Sequence, residues 1–242
     1  MRTVGIVGYG AFGKLVATLV RRFAPTLEVR VYSSRREPDG KDFFSLVDAV
    51  SSDVVIFTVP ISAFEEMLLK ILPLTCADTI LVDVCTVKVH TVNLLKKHAR
   101  EKQWLATHPM WGPESYEKKK GDVTGFRIVI TESTLPEEKA EAFSEVLKQM
   151  GFEVVHMNAD THDKHLAETL FLTHFVGQVI ARARFDRTEI DTVSFGYLMD
   201  AVESVKNDGP LFRDVFAFNP YCKEVLERFG VAEDETRMFL KK

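Results

Sequence analysis

Thr3-Val4-Gly5-Ile6-Val7-Gly8-Tyr9-Gly10-Ala11-Phe12-Gly13 is the stretch that decides the fold. A strand-like run leads directly into glycines spaced GxGxxG, and the last of them opens a helix, which is the context that makes this spacing informative. The first glycine permits a tight turn and the second lets the main chain approach a pyrophosphate. The third lets helix and strand pack closely, and the helix N-terminus turns its free N–H groups toward the phosphates. Gly8, Gly10, Ala11, Phe12 and Gly13 are therefore the expected dinucleotide-binding residues.

Around this turn, the first 157 residues alternate β-rich runs with helix-like segments. Thr3–Val7, Glu28–Tyr32, Asp53–Val59, Thr79–Val84, Trp104–Thr107, Phe126–Thr131 and Glu153–Met157 read as strands. Several are continuously apolar, as parallel strands covered by helices on both faces should be. The expectation is an α/β chain: a Rossmann-like, doubly wound parallel sheet over residues 1–157, followed by a smaller all-helical domain over 158–242. A cap at Asp160 or Thr161 would start the first long helix, which runs toward Arg184 and is apolar along Leu166–Ile180. So much apolar surface in a short helical segment is expected to be buried between two copies, as a homodimer.

Composition sets outer bounds. With 46% hydrophobic and 27% charged residues and 18 Phe, the chain has a globular protein's proportions. A net charge of -4 gives no general attraction to nucleic acid or anionic membrane, leaving small molecules and a second copy as expected partners. Cys76, Cys85 and Cys222 are odd in number and lack CxxC spacing, so neither a disulfide framework nor a structural zinc is expected. Met1 runs straight into the first strand without a basic leader, no apolar run is long enough to span a bilayer, and a cytoplasmic protein is expected.

At the end of the second strand, where an NAD site would place an acid on the ribose hydroxyls, the chain has Ser33-Ser34-Arg35-Arg36. Hydroxyls and a guanidinium suit a 2′-phosphate, so Ser33, Ser34 and Arg35 favour NADP as the cofactor. NAD stays open, with Glu37 in the acidic role. Thr58-Val59-Pro60 ends the third strand, where such folds flank the adenosine side of the cofactor.

The most informative stretch for chemistry is Thr107-His108-Pro109-Met110-Trp111-Gly112-Pro113-Glu114-Ser115, at the end of the fifth strand. It resembles the HPM(F/W)GPES signature of arogenate and prephenate dehydrogenases, the plant-like arogenate type above all. Asp83-Val84-Cys85-Thr86-Val87-Lys88 is similar to that family's D-x-x-(S/T)-x-K segment. His162-Asp163, with Ala167 and Thr173-His174, resembles its HD-x-x-x-A…H helix. The resemblance implies oxidative decarboxylation of L-arogenate or prephenate in tyrosine biosynthesis.

The chemistry needs one base to take the C4 hydroxyl proton while hydride leaves for the nicotinamide. His108 lies at the carboxyl end of a strand, where ligands bind in such sheets, and an unperturbed pKa near ~6.5 suits it to the task. The resemblance gives Thr86 a hydrogen bond near the same substrate oxygen or the nicotinamide. It also implies substrate contacts for Ser115 and, at a carboxylate, for His174. For Thr86 and Lys88 a structural role, capping the next helix or pairing on its surface, is the alternative. Many prephenate-type members carry an arginine shortly after an FRD-like segment, but Phe212-Arg213-Asp214 leads only into Val215-Phe216-Ala217-Phe218. Either Arg213 itself substitutes or the substrate is held otherwise, as the resemblance to plant-like arogenate enzymes implies, and the departure tilts the reading slightly toward L-arogenate. Asp83, Glu114 and the histidines lack metal-ligand spacing, so no metal site is expected.

Two rivals remain. A β-hydroxyacid or imine-type dehydrogenase would need a lysine with an asparagine one turn onward on the first long helix, but Lys164 is followed by no such Asn. A non-enzymatic NADP(H) sensor would leave the His108 signature unexplained.

Overall fold

The computed structural model describes residues 1–242. Contacts divide the chain into two compact units, Met1–Asp160 and Thr161–Lys242. In the first, the elements run β1 Thr3–Val7, α1 Ala11–Phe23, β2 Glu28–Tyr32, α2 Leu46–Val50, β3 Val54–Phe57, α3 Phe64–Ile71 and β4 Ile80–Asp83. They continue with α4 Lys88–His98, β5 Gln103–Pro109, α5 Pro113–Lys118, β6 Arg127–Ser133, α6 Glu137–Gln149 and β7 Glu153–His156.

The seven strands form one sheet in the order β2-β1-β3-β4-β5-β6-β7. Because β1 sits between β2 and β3, the chain winds outward from β1 in two directions. The crevice beyond the carboxyl ends of β1 and β3 is thus the switch point, where such sheets bind ligands. Alternation along β1 assigns its two faces. Val4 and Ile6 pack with Ala17 of α1, whereas Gly5 lies against the Ala49 carbonyl of α2. α1 and α5 lie together on the first face, and α2, α3 and α4 follow one another on the second. Val55, Phe57, Phe64, Leu68, Leu81, Leu95 and Leu105 are completely excluded from water in the core.

The sheet departs from the expectation of uniform direction. β2, β1, β3, β4 and β5 are mutually parallel, but β6 pairs antiparallel with β5, and β7 is parallel to β6. The connection explains the reversal: parallel neighbours need a crossover over one face, whereas residues 110–126 hold only the six-residue α5. The register shifts between Ala106 and Thr107, so Thr131 of β6 is left out of the pairing just before Thr107. The strand bounds also move. Val59 and Val84 lie beyond β3 and β4, while β5 extends through Pro109, so His108 is a strand residue.

The second unit is helical, and its first helix begins two residues before the boundary: α7 Ala159–Leu166, a π-helical turn Ala167–Phe171, α8 Leu172–Ala183, α9 Val193–Val205, α10 Gly209–Phe218 and α11 Cys222–Phe239. α7 begins before the expected cap, which puts Asp160 and Thr161 inside its first turn. Arg184 closes α8 in the left-handed conformation at φ 59°. Phe171 is the centre of the core, with the rings of Phe175, Phe212 and Phe216 stacked around it at 6.3, 5.5 and 5.7 Å. Gln178 fastens α8 to the end of α9, its Nε2 donating to the carbonyls of Val205 and Lys206 at 2.9 and 3.0 Å. Phe185, Ile190, Val193 and Tyr197 remain exposed. No helix is long and apolar enough to cross a membrane.

Candidate active site

The glycine turn is held from both flanks. The Gly8 N–H donates to the Tyr32 carbonyl of β2 (3.0 Å), and the Thr58 hydroxyl after β3 donates to the Gly8 carbonyl (2.9 Å). Gly8 has φ +109°, a conformation that side chains rarely adopt. A Cβ at Gly13 would stand 2.5 Å from the Gly8 carbonyl oxygen, so only glycine lets α1 start this close to β1. Gly10 differs: a Cβ there would meet no protein atom within 4 Å. α1 opens on Gly10 with no side-chain cap and no acid in its first turn. Open space, an uncapped helix start and the switch point coincide, and this cradle fits a pyrophosphate. Thr58 thus braces the turn through its hydroxyl, while Val59 and Pro60 continue past the end of β3.

Ser33 follows β2 directly and its carbonyl accepts the Arg36 N–H (3.3 Å), so Ser34 and Arg35 form an exposed turn. The Arg36 guanidinium lies 5.8 Å from the Phe43 ring, which in turn meets Tyr9 of the glycine turn edge-on at 4.9 Å. Glu37 lies beyond this turn and is exposed.

A buried ion pair links the end of β4 to the start of α4. Asp83 and Lys88 are both fully buried, with Nζ 2.5 Å from the carboxylate. The same Nζ donates to the Thr107 carbonyl (2.6 Å), and the Thr107 hydroxyl donates to the Asp83 carbonyl (2.9 Å). The other Asp83 carboxylate oxygen accepts the Cys85 N–H (2.8 Å), which shapes the turn into Thr86. Lys88 is therefore not a surface residue, and the pattern that would have shown this crosses a strand end, a turn and a helix start, so no periodicity reveals it. Thr86 does not cap α4 either, since the cap position is Val87 and makes no side-chain bond. His108 is buried and follows Thr107 in β5, opposite Val129 of β6.

Beyond His108, Trp111 stacks between Phe126 and Phe152 at 5.4 and 5.5 Å and meets Phe12 at 5.8 Å. Phe12 of the glycine motif thus contacts the signature segment, a link that sequence spacing gave no reason to expect. Ser115 is exposed on α5.

In the helical unit, His174 is buried on α8 with Nδ1 2.9 Å from the Leu170 carbonyl. A carbonyl can only accept, so Nδ1 carries the proton and Nε2 faces outward from that bond. Nε2 makes no hydrogen bond, and the Asp208 carboxylate lies 3.7 Å away, beyond hydrogen-bonding reach. Arg213 is exposed on α10. His162 and Asp163 form a buried pair at 2.8 Å, and Asn219 Nδ2 donates to the Asp163 carbonyl. Burial first, and then the negative charge of Asp163, push the Cys222 thiol up to about 12. No group of three or more His, Cys, Asp or Glu side chains is arranged to hold a metal ion.

Comparison with known proteins fits this arrangement. A family model described as prephenate dehydrogenase, nucleotide-binding domain, matches residues 39–156. Arogenate dehydrogenase 1, chloroplastic, of Arabidopsis thaliana is 31% identical over 97% of this chain, which spans 39% of that protein's length. Arogenate dehydrogenase 2, chloroplastic, of the same plant is 28% identical, with 97% of this chain and 68% of that protein covered. Among solved structures, prephenate dehydrogenase from A. aeolicus in complex with hydroxyphenyl propionate and NAD+ is similar in fold. Its TM-score is 0.74 at 20% identity, over 99% of this chain and 91% of that one.

Proposed function

We propose that the chain, whose residues 39–156 match the prephenate dehydrogenase nucleotide-binding family model and which is 31% identical to an arogenate dehydrogenase, oxidatively decarboxylates L-arogenate, or prephenate, in tyrosine biosynthesis. The observation that carries this reading is the placement of His108, a buried histidine at the carboxyl end of β5 in a nucleotide-binding sheet.

In this reading His108 takes the proton of the C4 hydroxyl, and Thr86 orients the same oxygen. When bound, the nicotinamide supplies the acceptor for the hydride that leaves C4. The ring carboxylate then departs as carbon dioxide, driven by aromatisation. Gly8, Gly10, Ala11, Phe12 and Gly13 would hold the pyrophosphate, Thr58, Val59 and Pro60 the adenosine side, and Ser33, Ser34 and Arg35 the 2′-phosphate of NADP. His174 contributes a charge-assisted bond from Nε2 to a substrate carboxylate, which requires a second ring proton because Nδ1 is committed to Leu170. Ser115 and Arg213 complete the substrate contacts, and the absence of an arginine in Val215–Phe218 favours arogenate over prephenate. The exposed Phe185, Ile190, Val193 and Tyr197 support a homodimer through the helical unit, which a monomeric mass by light scattering would exclude.

The test crosses arogenate and prephenate with NADP and NAD, following absorbance of the reduced nicotinamide, for the natural protein and His108→Asn. Turnover is expected with NADP, higher with arogenate. It should fall by roughly a hundredfold to ten-thousandfold in the variant while cofactor affinity is kept. Absence of turnover with every pairing would sink the reading.

A further inference from the structure

Lys88 stands out among the buried groups because it does more than neutralise its partner. One ammonium with no exposure to water binds the Asp83 carboxylate at 2.5 Å and the Thr107 carbonyl at 2.6 Å. The first contact fixes the end of β4, where Asp83 also holds the Cys85 N–H and so the turn that carries Thr86. The second fixes the main chain of β5 one residue before His108. We propose that Lys88 is a positioning residue, setting the spacing of the two strand ends that present Thr86 and His108. The proposal rests on the reading above, in which those two side chains meet the substrate.

Two physical arguments favour positioning over stabilisation. A buried ion pair is a poor route to stability, since an apolar pair of similar volume is often equal or better. An apolar pair, however, has no donor for the Thr107 carbonyl. The strands need that donor here because their pairing is weakest at this point. The register of β4 with β5 ends at Asp83 and Ala106, and that of β5 with β6 slips between Ala106 and Thr107. The Lys88 bond and the Thr107 hydroxyl bond to the Asp83 carbonyl replace the missing ladder.

The experiment compares Lys88→Met with the double variant Asp83→Asn plus Lys88→Met. The single variant leaves a carboxylate buried without its partner and is expected to lose much stability or fail to fold. The double variant removes both charges and should recover most of the melting temperature lost by the single one, falling short of the natural value by the cost of the unpaired Thr107 carbonyl. In it, kcat is expected to fall by roughly tenfold to a hundredfold, the cost of a small misplacement of reacting groups, with the NADP Kd unchanged. Amide hydrogen exchange should rise in residues 83–88 and 105–110 and stay unchanged in residues 8–13. If kcat recovers together with melting temperature, or if NADP binding weakens in parallel, the pair only stabilises the fold and the proposal falls. If the natural protein turns over neither substrate, the functional reading fails by itself. Exchange then decides alone: a rise confined to the two strand ends upholds the role of Lys88, and unchanged exchange there overturns it.

Discussion

Gly10 and Gly13 belong to one motif, yet the structure separates what alanine would do at each. At Gly13 the added Cβ would lie 2.5 Å from the Gly8 carbonyl oxygen and 2.7 Å from the Thr58 hydroxyl. Reaching ordinary contact would push α1 back from β1 by about 0.9 Å, an overpacking cost of about 1–3 kcal/mol. Thr58 would have to turn away from the carbonyls of Val7 and Gly8, losing about 1 kcal/mol for each bond. Alanine's better helix propensity returns about 1 kcal/mol. Gly13→Ala should therefore lose about 2–4 kcal/mol and melt roughly 5–15 °C lower. At Gly10 the backbone, φ −71° and ψ −171°, suits alanine and the space around it is open. Gly10→Ala should stay within about 1 kcal/mol of the natural stability. Its methyl group would nonetheless occupy the place of the pyrophosphate, weakening NADP by at least roughly tenfold, or about 1.4 kcal/mol. Thermal unfolding and calorimetric titration with NADP read the two quantities. Unchanged affinity in Gly10→Ala would refute the cradle, and an unchanged melting temperature in Gly13→Ala would refute the packing argument.

Other expectations follow from single contacts. Arg35→Ala should raise the NADP Kd roughly tenfold to a hundredfold and leave NAD unaltered; equal losses for both would remove Arg35 from the 2′-phosphate. At about pH 8 a disulfide reagent should label exposed Cys76 in the native protein. Cys222, whose thiol is raised to about 12, and buried Cys85 should react only after unfolding. Early labelling of Cys222 would contradict its burial. The Asp53 carboxylate accepts the N–H groups of Arg2 and Thr3, which hold its pKa below the usual value. A depressed folded pKa adds stability that is present above the unfolded value and is lost as pH falls through the folded one. Asp53→Asn should thus melt below the natural protein at neutral pH, with the gap closing under roughly pH 4. A gap that persists in strong acid would refute this.

Legibility in the sequence tracked how local the determinants are. β1 and β2 lie where the sequence predicts them, since β-rich residues fill them and Gly8 and Ser33-Ser34 close them at their carboxyl ends. The direction of β6 could not be read, since an apolar run looks the same in either direction and only the short connection after β5 decides it. The π-helical turn Ala167–Phe171 carries the same apolar spacing as its α-helical neighbours and leaves no separate mark. At the site, the glycine motif and the His108 segment were visible because main-chain geometry demands glycine and the signature is contiguous. The burial of Lys88 and the contact of Phe12 with Trp111 depend on which strands become neighbours, which no window of sequence contains.

The reversal of β6 has a consequence for how this protein could change. Residues 110–126 leave β5 and return to its immediate neighbour at the same edge, and the neck is closed by the Met110 N–H on the Arg127 carbonyl (2.9 Å). Trp111, Tyr116 and Phe126 are rooted in the core, while Glu114, Ser115 and Glu117 through Lys120 face water. Such a segment is a cassette with fixed sockets. Its outer face can be lengthened or rewritten at small entropic cost, without rethreading a strand or moving the glycine turn. Under the proposed function, selection for a different ring side chain would act on this outer face while the glycine turn stays as it is.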